Sequence, residues 1–273
     1  MNILKDNKKL LYKLYIEEEK SLSNIAKDYS ISSMTVRAWL KSVGIKTRVS
    51  TVNVYKELKS TDFSDSQKYL IIGSILGDGS ITQGKDCVNA RFVERHCDEQ
   101  LNYLQWKNNK LKPFVKSKLA KTVAGKHVIS GIECDVQDSY MLTTITHPYL
   151  TYLHKIFYKD GKKIIPYNIY DLINALSIVI WICDDGSITY DKKSGTYRLD
   201  LHTESFTYQE NVFLCREILS KFFNLSFRIN TRMYPSGKAY YICISGKDKL
   251  RIITEVLYPF IPFCMMSKFK HYL

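Results

Sequence analysis

Two apolar stretches of the chain repeat one pattern, and each predicts a buried helix. They span Tyr69–Ile81 and Leu176–Ile188, and both end in the residues Asp-Gly-Ser-Ile. Each apolar run stops at an acidic residue, Asp78 in the first stretch and Asp185 in the second. A carboxylate at the C-terminal end of a helix faces the negative end of the helix dipole, which disfavours it unless a cation is close. The repeat therefore predicts a duplicated, pseudo-twofold unit with a cationic partner at the two helix ends.

The two predicted helices differ in bulk, which indicates how they pack. Gly73 and Gly77 lie four residues apart on one face of the first helix, whereas the second helix carries Ile180 and Trp181. Because glycine has no side chain, the second helix can approach the first closely at these positions. The pattern predicts that large residues of one helix pack against small residues of the other.

The residues that follow each stretch alternate in the same order between strand-like and helical patterns. After the first stretch we predict strands at 86–95, 114–123, 126–135 and 140–146 and helices at 98–111 and 147–158. After the second we predict strands at 197–202, 227–233 and 239–245 and helices at 207–223 and 247–258. Each half thus has the order helix, strands, helix, strands, helix, which is typical of an α+β fold with antiparallel sheets.

Residues 1–48 predict a separate, small all-α domain. We predict two helices joined by a turn, the first capped by Ser21 or Ser23 and the second by Ser32 or Ser33. This pattern resembles a helix-turn-helix of the resolvase and transposase type, although Ser30 stands in the turn where many such motifs have glycine. The resemblance implies that the second helix offers a DNA groove the residues Ser33, Thr35, Arg37 and Lys41. An ordinary helical hairpin with a solvated polar face stays open as the alternative.

The rest of the chain divides into a linker and two halves. Residues 49–65 are polar and only weakly periodic, which predicts a linker. The halves are 66–170 and 171–273, each beginning close to one apolar stretch. A flexible tether would let the small domain bind DNA next to the main site and so raise its effective concentration.

The composition indicates a polyanionic partner and a reducing compartment. The formal net charge is +13, which favours a nucleic-acid partner, although a lysine-rich surface alone would give the same charge. The seven cysteines are scattered and include no C-x-x-C pair, which argues against a disulfide framework and a zinc site. No stretch is long enough to cross a bilayer and the N-terminus does not resemble a signal peptide, so we expect no membrane partner.

The two apolar stretches resemble the motifs of the LAGLIDADG homing endonucleases in their single-chain, two-motif form. The nine-residue motif falls on Ile71–Gly79 and on Ile178–Gly186, with its last acid at Asp78 and Asp185. The resemblance covers residues 66–273. It implies two αββαββα-like halves that form a saddle on double-stranded DNA, and a monomer that makes a double-strand break with 3′ overhangs.

Three positions depart from the family motif, and none of them is the metal-binding acid. Leu76 and Cys183 replace its first acid, and Ile180 replaces its small third residue. Activity is therefore not put in doubt by these departures.

The paired acids predict a metal site. Two carboxylates brought together at a helix crossing cannot both stay ionised without cations between them. Mg²⁺ prefers oxygen ligands, so we expect it on Asp78 and Asp185, with backbone carbonyls around Gly77 and Asp184 as further ligands. Asp184 is the rival of Asp185, and the shared Asp-Gly-Ser-Ile favours Asp185. Mn²⁺ is expected to substitute for Mg²⁺, and Ca²⁺ to support DNA binding without cleavage.

Other phosphate and metal motifs do not fit these windows. A Walker-type loop would need Gly-Lys-Ser/Thr, and an EF-hand would need alternating acids and a distal glutamate. The six histidines form no cluster in the sequence, which argues against an HNH-type or zinc mechanism.

Two lysines join the predicted site by resemblance. In related single-chain members an Ile-Pro follows a catalytic lysine before the second motif, and Met-Met-x-Lys ends the domain. The corresponding residues here are Lys163, which precedes Ile-Ile-Pro, and Lys268, which follows Met-Met-Ser. The resemblance implies that both lie near the scissile phosphates, where they stabilise charge or order the attacking water. Ser267 is a mild departure, because relatives often have an aromatic residue there.

Basic residues on the predicted strands are candidates for the DNA-facing side of the saddle, each more as a phosphate contact than as a base reader. They are Arg91, Arg95, Lys116, Lys118, Lys121, Lys192, Lys193, Arg198, Arg228, Arg232 and Lys238.

The sequence thus predicts a Mg²⁺-dependent, site-specific DNA endonuclease, free-standing or intron-encoded. Two alternatives stay open. One is a DNA-binding regulator or an intron RNA maturase that keeps the saddle without cleavage, with intron RNA as a second partner. The other is a recombinase-like DNA binder that depends mainly on residues 1–48.

Overall fold

The computed structural model describes residues 4–5, 7–18, 20–47, 57–58, 60–115, 118–129, 132–192, 195–235 and 237–269. The chain divides into two compact units at the boundary between Glu57 and Leu58.

Short helices build the N-terminal unit. They are α1 (Lys8–Tyr12), which continues as a π-helical turn over Lys13–Glu17, α2 (Leu22–Asp28) and α3 (Ser33–Ser42). The Ser21 and Ser32 side chains cap α2 and α3 by accepting hydrogen bonds from backbone N–H groups. Leu11, Ile25, Val36 and Leu40 are fully buried in the core of the unit. The predicted pair of capped helices is therefore present, and its DNA-reading role stays a prediction.

The turn between α2 and α3 contains an unusual backbone conformation. Ser30 has φ of +51°, in the left-handed region that glycine adopts more easily than serine. Ser30 occupies the position at which many helix-turn-helix motifs have glycine, and its backbone adopts the conformation that explains that preference.

Two helices packed side by side form the centre of the second unit. The first motif helix is α4 (Asp65–Leu76), and the second motif helix is α8 (Ala175–Asp185). A Cβ on Gly73 would lie 2.9 Å from Cβ of Ile180, and a Cβ on Gly77 would overlap the side chain of Asp184. The predicted packing of large against small residues is confirmed at Gly73, whereas Gly77 makes room for an aspartate.

Each motif helix leads into a four-stranded antiparallel sheet. The first sheet has the order β1-β2-β6-β3 and consists of β1 (Ser80–Thr82), β2 (Arg91–Cys97), β3 (Ala120–Thr122) and β6 (Ser139–Thr143). The second has the order β11-β12-β10-β9 and consists of β9 (Gly186–Asp191), β10 (Thr196–Leu201), β11 (Arg228–Tyr234) and β12 (Gly237–Ser245).

The remaining elements complete two similar halves. The first half adds α5 (Leu101–Lys110), the hairpin β4 (Gly125–Ile129) and β5 (Ile132–Val136), α6 (Pro148–Phe157), and the short pair β7 (Tyr158–Lys159) and β8 (Lys162–Lys163). After α7 (Ile169–Leu172), the second half adds α9 (Tyr208–Phe213, continuing through Leu214–Ser220 and Lys221–Phe223), α10 (Lys247–Leu257) and α11 (Met266–Phe269). Apart from the inserted hairpin and the short elements, each half has the predicted order αββαββα, which confirms the α+β fold.

Some predicted strands are wrong in extent. β1 begins just after the first motif and β9 at the last residue of the second, where we predicted no strand. These residues become strands through pairing, with Ser80 opposite Val93 and Ser187 opposite Asp200. The strand predicted at 126–135 is the hairpin of β4 and β5. The strand predicted at 114–123 is reduced to β3, because β6 pairs with it over only three residues.

The end of the predicted linker belongs to the second unit. Phe63 is buried, stacks on Phe114 with ring centroids 4.0 Å apart, and meets His147 edge-on. Residues 49–56 lie outside the described part of the chain. None of the described helices has the length and apolarity that a bilayer crossing requires.

Candidate active site at the ends of the paired helices

The structure places an acidic residue at the end of each motif helix. The side chain of Asp78 is 38% exposed. Asp185 is the last residue of the second motif helix, and its carboxyl has a pKa raised to about 6, first by burial and then by the negative charge of Asp78. Burial is the larger cause of this rise in pKa, and the charge of Asp78 adds to it, in the direction that the sequence led us to expect.

Two lysines hold the backbone at these helix ends. Lys163 donates hydrogen bonds to the carbonyl oxygens of Gly77 (3.0 Å) and Gly79 (3.1 Å), and Lys268 donates to the carbonyl oxygen of Cys183 (2.6 Å). Burial lowers the pKa of both ammonium groups, while the nearby aspartates oppose that shift. The four residues proposed for catalysis from the sequence are thus brought to one place.

The side chain of the rival acid, Asp184, is buried and accepts hydrogen bonds through both carboxylate oxygens. Lys107 donates to both of its carboxylate oxygens at 2.8 and 2.9 Å, and the Tyr103 hydroxyl donates to Oδ1 at 2.8 Å. Burial raises the pKa of the Asp184 carboxyl to about 7, and the positive charge of Lys107 opposes that rise. Since all three bonds need an acceptor, the carboxylate form fits this geometry.

Lys107 belongs to a buried polar network that the sequence did not reveal. Its ammonium also donates to Ser74 Oγ (2.8 Å) and to Glu94 Oε1 (2.6 Å), and its side chain is 0% exposed. Burial alone would lower the pKa of Lys107, but Asp184 and Glu94 raise it. One signal in the sequence could have indicated that Lys107 is buried: it lies three residues after Leu104 and four after Tyr103, on the same inward face of α5.

The network continues from Glu94 towards Asp78. His96 lies 2.6 Å from Glu94 Oε1 through Nε2 and 2.6 Å from Gln100 Oε1 through Nδ1. Its Nδ1 is 3.9 Å from Asp78 Oδ2. Burial would lower the pKa of His96, but Glu94 raises it above its usual value. With an oxygen acceptor on each ring nitrogen, the imidazolium is favoured and the ring is not free to bind a metal.

The donors at the helix ends fit a hard divalent cation. Asp78 and Asp185 supply carboxylate oxygens, and no hydrogen bond or ion pair joins the Asp185 carboxylate to another described residue. Magnesium and calcium prefer such all-oxygen surroundings. The carbonyl of Gly77, expected as a further ligand, accepts the bond from Lys163 in this structure.

Five candidate DNA-binding residues lie on the sheet faces turned away from the helices: Arg91, Arg95, Arg198, Arg228 and Arg232. Most are already anchored to neighbouring side chains. Arg95 donates to Thr122 and Ser139, Arg198 to Asp200, and Arg232 to Glu204. Such anchoring fixes each guanidinium group in a defined orientation.

The expectation that all the basic strand residues share that outer face is wrong for several of them. Lys238 lies opposite Met233 and on the same face as Tyr240, whose ring contacts Tyr208 of α9, so strand alternation puts Lys238 on the helix side. Lys118 precedes β3 and lies beside residues of α5, and Lys192 is exposed in the turn after β9.

Three further candidates complete this comparison. Lys121 lies opposite Tyr140, on the face shared with buried His96, and pairs with Asp138 at 2.6 Å. Lys116 and Lys193 lie outside the described residues.

On the N-terminal unit, Ser33, Arg37 and Lys41 are exposed and recur every four residues on α3, as a groove-reading surface requires. Thr35 differs from this expectation. It is half-buried, and its hydroxyl lies 2.8 Å from the hydroxyl of Ser32 at the helix cap.

Comparisons with known proteins agree with this fold. Residues 68–250 match the LAGLIDADG DNA endonuclease family. An uncharacterized protein, MJ1098 of Methanocaldococcus jannaschii, is 25% identical over 92% of this chain and 91% of its own length. The DNA endonuclease I-ChuI of Chlamydomonas applanata is 24% identical over 75% of this chain and 94% of its own.

Two further similarities are informative. The cytochrome b mRNA maturase bI2 of Debaryomyces hansenii is 24% identical over 75% of this chain and 73% of its own. The solved structure of the homing endonuclease I-WcaI bound to its DNA recognition sequence superimposes with a TM-score of 0.65 at 22% identity, covering 84% of this chain and 96% of that one.

Proposed function

Because the chain belongs to the LAGLIDADG DNA endonuclease family, we propose that it is a divalent-metal-dependent, site-specific endonuclease that cuts both strands of a long, asymmetric DNA target. The observation that carries this proposal is that Asp78 and Asp185 lie close enough for their charges to interact, beside two half-buried lysines. The similarity to I-ChuI and to DNA-bound I-WcaI supports double-stranded DNA as the substrate.

Each residue of the site has a task in phosphodiester hydrolysis. Asp78 and Asp185 hold the cation, with Mg²⁺ as the physiological ion, Mn²⁺ as a substitute and Ca²⁺ as a non-cleaving one. When bound, the cation offsets phosphate charge and lowers the pKa of a bound water. Lys163 and Lys268 fix the backbone that carries the acids and place positive charge where charge develops on the phosphates.

DNA binding is assigned to the arginines of the two sheets and to the exposed face of α3. The net charge of +13 supports this assignment, because neutralising phosphates with basic residues releases counterions. The chain is proposed to act as a monomer, since a single chain carries both motifs.

A second candidate function is a DNA-binding regulator or RNA maturase without cleavage. The similarity to the bI2 maturase is the observation that favours it. The retention of both motif acids favours the endonuclease, because a protein that only binds has no need of two repelling carboxylates.

Plasmid cleavage in Mg²⁺ buffer tests the proposal. The substrate would carry the joined flanks of the protein's own coding element, and Asp78→Asn and Asp185→Asn would be assayed in parallel. We expect a linear product from the wild type and none from either variant. Tight binding in Ca²⁺ with no cleavage in Mg²⁺ would instead support the regulator or maturase.

Removal of residues 1–48 tests the role of the N-terminal unit. We expect weaker DNA binding with cleavage retained, because the acids and lysines all lie in the second unit. Complete loss of binding in a mobility-shift assay would favour the recombinase-like alternative.

A further inference from the structure

The two motifs differ at their seventh position, where the first has Gly77 and the second has Asp184. The aspartate places an additional carboxylate next to Asp185. One carboxylate oxygen of Asp184, one of Asp78 and a ring nitrogen of His96 all lie within 4.8 Å of one another. Asp184 is therefore close enough to compete for a cation held by Asp78.

Lys107 engages both oxygens of this competing carboxylate. Its ammonium contacts both oxygens of Asp184, and the Tyr103 hydroxyl adds a third hydrogen bond to the same group. Lys107 also lies over the Tyr103 ring, with Nζ 4.5 Å from the ring centroid. In this dry environment the ion pair neutralises Asp184 and uses both of its oxygens.

The fold itself does not require these charges. In the first half Glu94 follows the residue that pairs with Ser80 of β1, and in the second half Leu201 follows the residue that pairs with Ser187 of β9. Glu94 and Leu201 therefore occupy equivalent positions, and both side chains are buried. The same architecture is thus built once around a buried carboxylate and once around a leucine. A buried ion pair adds little net stability over apolar side chains, so stability alone does not account for the network.

We propose that Lys107 is a positioning residue that withholds Asp184 from the divalent cation and thereby reserves the cation for Asp78 and Asp185. The inference rests on the proposed function, since it takes those two acids as the ligands. The contrast between the adjacent carboxylates carries it: Asp184 has three hydrogen bonds, and Asp185 has none to a described residue.

The main test is Lys107→Met, with Mn²⁺ binding measured by electron paramagnetic resonance of the free ion. Met keeps the apolar stem of the lysine and removes its charge. We expect Mn²⁺ affinity to rise about tenfold, which corresponds to about 1.4 kcal/mol, because the released Asp184 carboxylate becomes a ligand. Cleavage at saturating Mn²⁺ should fall at least about tenfold, because the ion is drawn away from Asp185.

The matched control is the double variant Lys107→Met/Asp184→Ala. It removes the competing carboxylate but keeps the Cβ that packs against Gly77, and Glu94 retains His96 as a partner. Mn²⁺ affinity and the cleavage rate should both return to within about threefold of the wild type. A purely structural role of Lys107 cannot produce higher metal affinity together with slower cleavage.

Thermal unfolding in EDTA shows whether Lys107→Met folds. If it does not, the single variant Asp184→Ala still tests the inference. Lys107 still has Glu94 in this variant. We expect Mn²⁺ affinity within about threefold of the wild type, because a withheld carboxylate contributes nothing to binding.

Two results would overturn the inference. One is unchanged or lower Mn²⁺ affinity in folded Lys107→Met. The other is loss of Mn²⁺ binding in Asp184→Ala to the extent seen in Asp185→Asn. If the wild type cleaves no DNA but the Mn²⁺ affinities follow the expected pattern, the endonuclease proposal fails and the selection of ligands by Lys107 stands.

Discussion

The ends of the two motif helices have the same acid but different surroundings. At the first, Gly77 leaves space and Asp78 is partly exposed. At the second, Asp184 fills that space and is neutralised by Lys107, while Asp185 is mostly buried. The two copies are therefore complementary rather than identical, because each must pack against the other along the pseudo-twofold axis.

The lysines show where the two ends remain alike. Lys163 bonds to carbonyls that follow the first motif helix, and Lys268 bonds to a carbonyl in the last turn of the second. A cation at a helix C-terminus satisfies carbonyls that have no partner within the helix. The groups proposed for chemistry are thus duplicated, and the packing around them is not.

The largest expected effect is loss of cleavage when either acid is changed. Asp78→Asn and Asp185→Asn should each lower single-turnover cleavage in Mg²⁺ by more than about 10³-fold, because each removes a charged ligand. DNA binding in Ca²⁺ measures whether recognition survives. A variant of one acid that still cuts both strands at the normal rate would show that the two helix ends are not equivalent in chemistry.

Packing asymmetry predicts a large loss of stability for Gly73→Ala. The new Cβ would lie 2.9 Å from Cβ of Ile180 and would collide with backbone of Ser177, which cannot move aside. We expect about 3 kcal/mol of destabilisation, at the upper end for overpacking, in urea unfolding. Gly84→Ala is the control, since its Cβ would meet only the Cys87 side chain, at 3.2 Å. Equal losses in the two variants would contradict close helix packing at Gly73.

Burial of the Asp185 carboxylate and its repulsion by Asp78 predict that Asp185→Asn stabilises the metal-free protein. The pKa of Asp185 is raised to about 6 in the folded state from an ordinary value of 3.8. Its contribution to stability is therefore present below pH 4 and lost as the pH rises through 6. From that shift the variant should gain at most about 3 kcal/mol at pH 7.5 and nothing below pH 4.

Thermal unfolding in EDTA across this pH range measures the gain. Added Mg²⁺ should stabilise the wild type and remove the difference, since the cation binds only the ionised pair. A wild type more stable than Asp185→Asn at pH 7.5 in EDTA would mean that the ionised Asp185 carboxylate does not destabilise the folded state.

The smallest expected effects concern the two lysines. Lys163→Met and Lys268→Met should each lower the cleavage rate about 10- to 100-fold, by removing a positive charge near the phosphates. DNA affinity in Ca²⁺ should change little. Similar losses would support the equivalence of the two ends, whereas an effect at only one of them would limit that equivalence to the acids.

Much of the fold followed from local pattern. Helical periodicity and the repeated Asp-Gly-Ser-Ile located both motif helices, and the alternation of elements gave the order of each half. The strands β1 and β9 were missed, because three to six residues become a strand only through pairing with a partner farther along the chain.

The sequence by itself pointed to the acids and lysines of the candidate site, the acids through the repeated Asp-Gly-Ser-Ile and the lysines through their resemblance to family motifs. Tertiary structure alone decided which of two adjacent aspartates is free, and on which face Lys238 lies. Both depend on contacts across the fold: Lys107 is 77 residues from Asp184, and the face of Lys238 is set by its register with β11. A buried charged residue meets its partner only when the chain has folded, so the local sequence pattern does not predict the pairing.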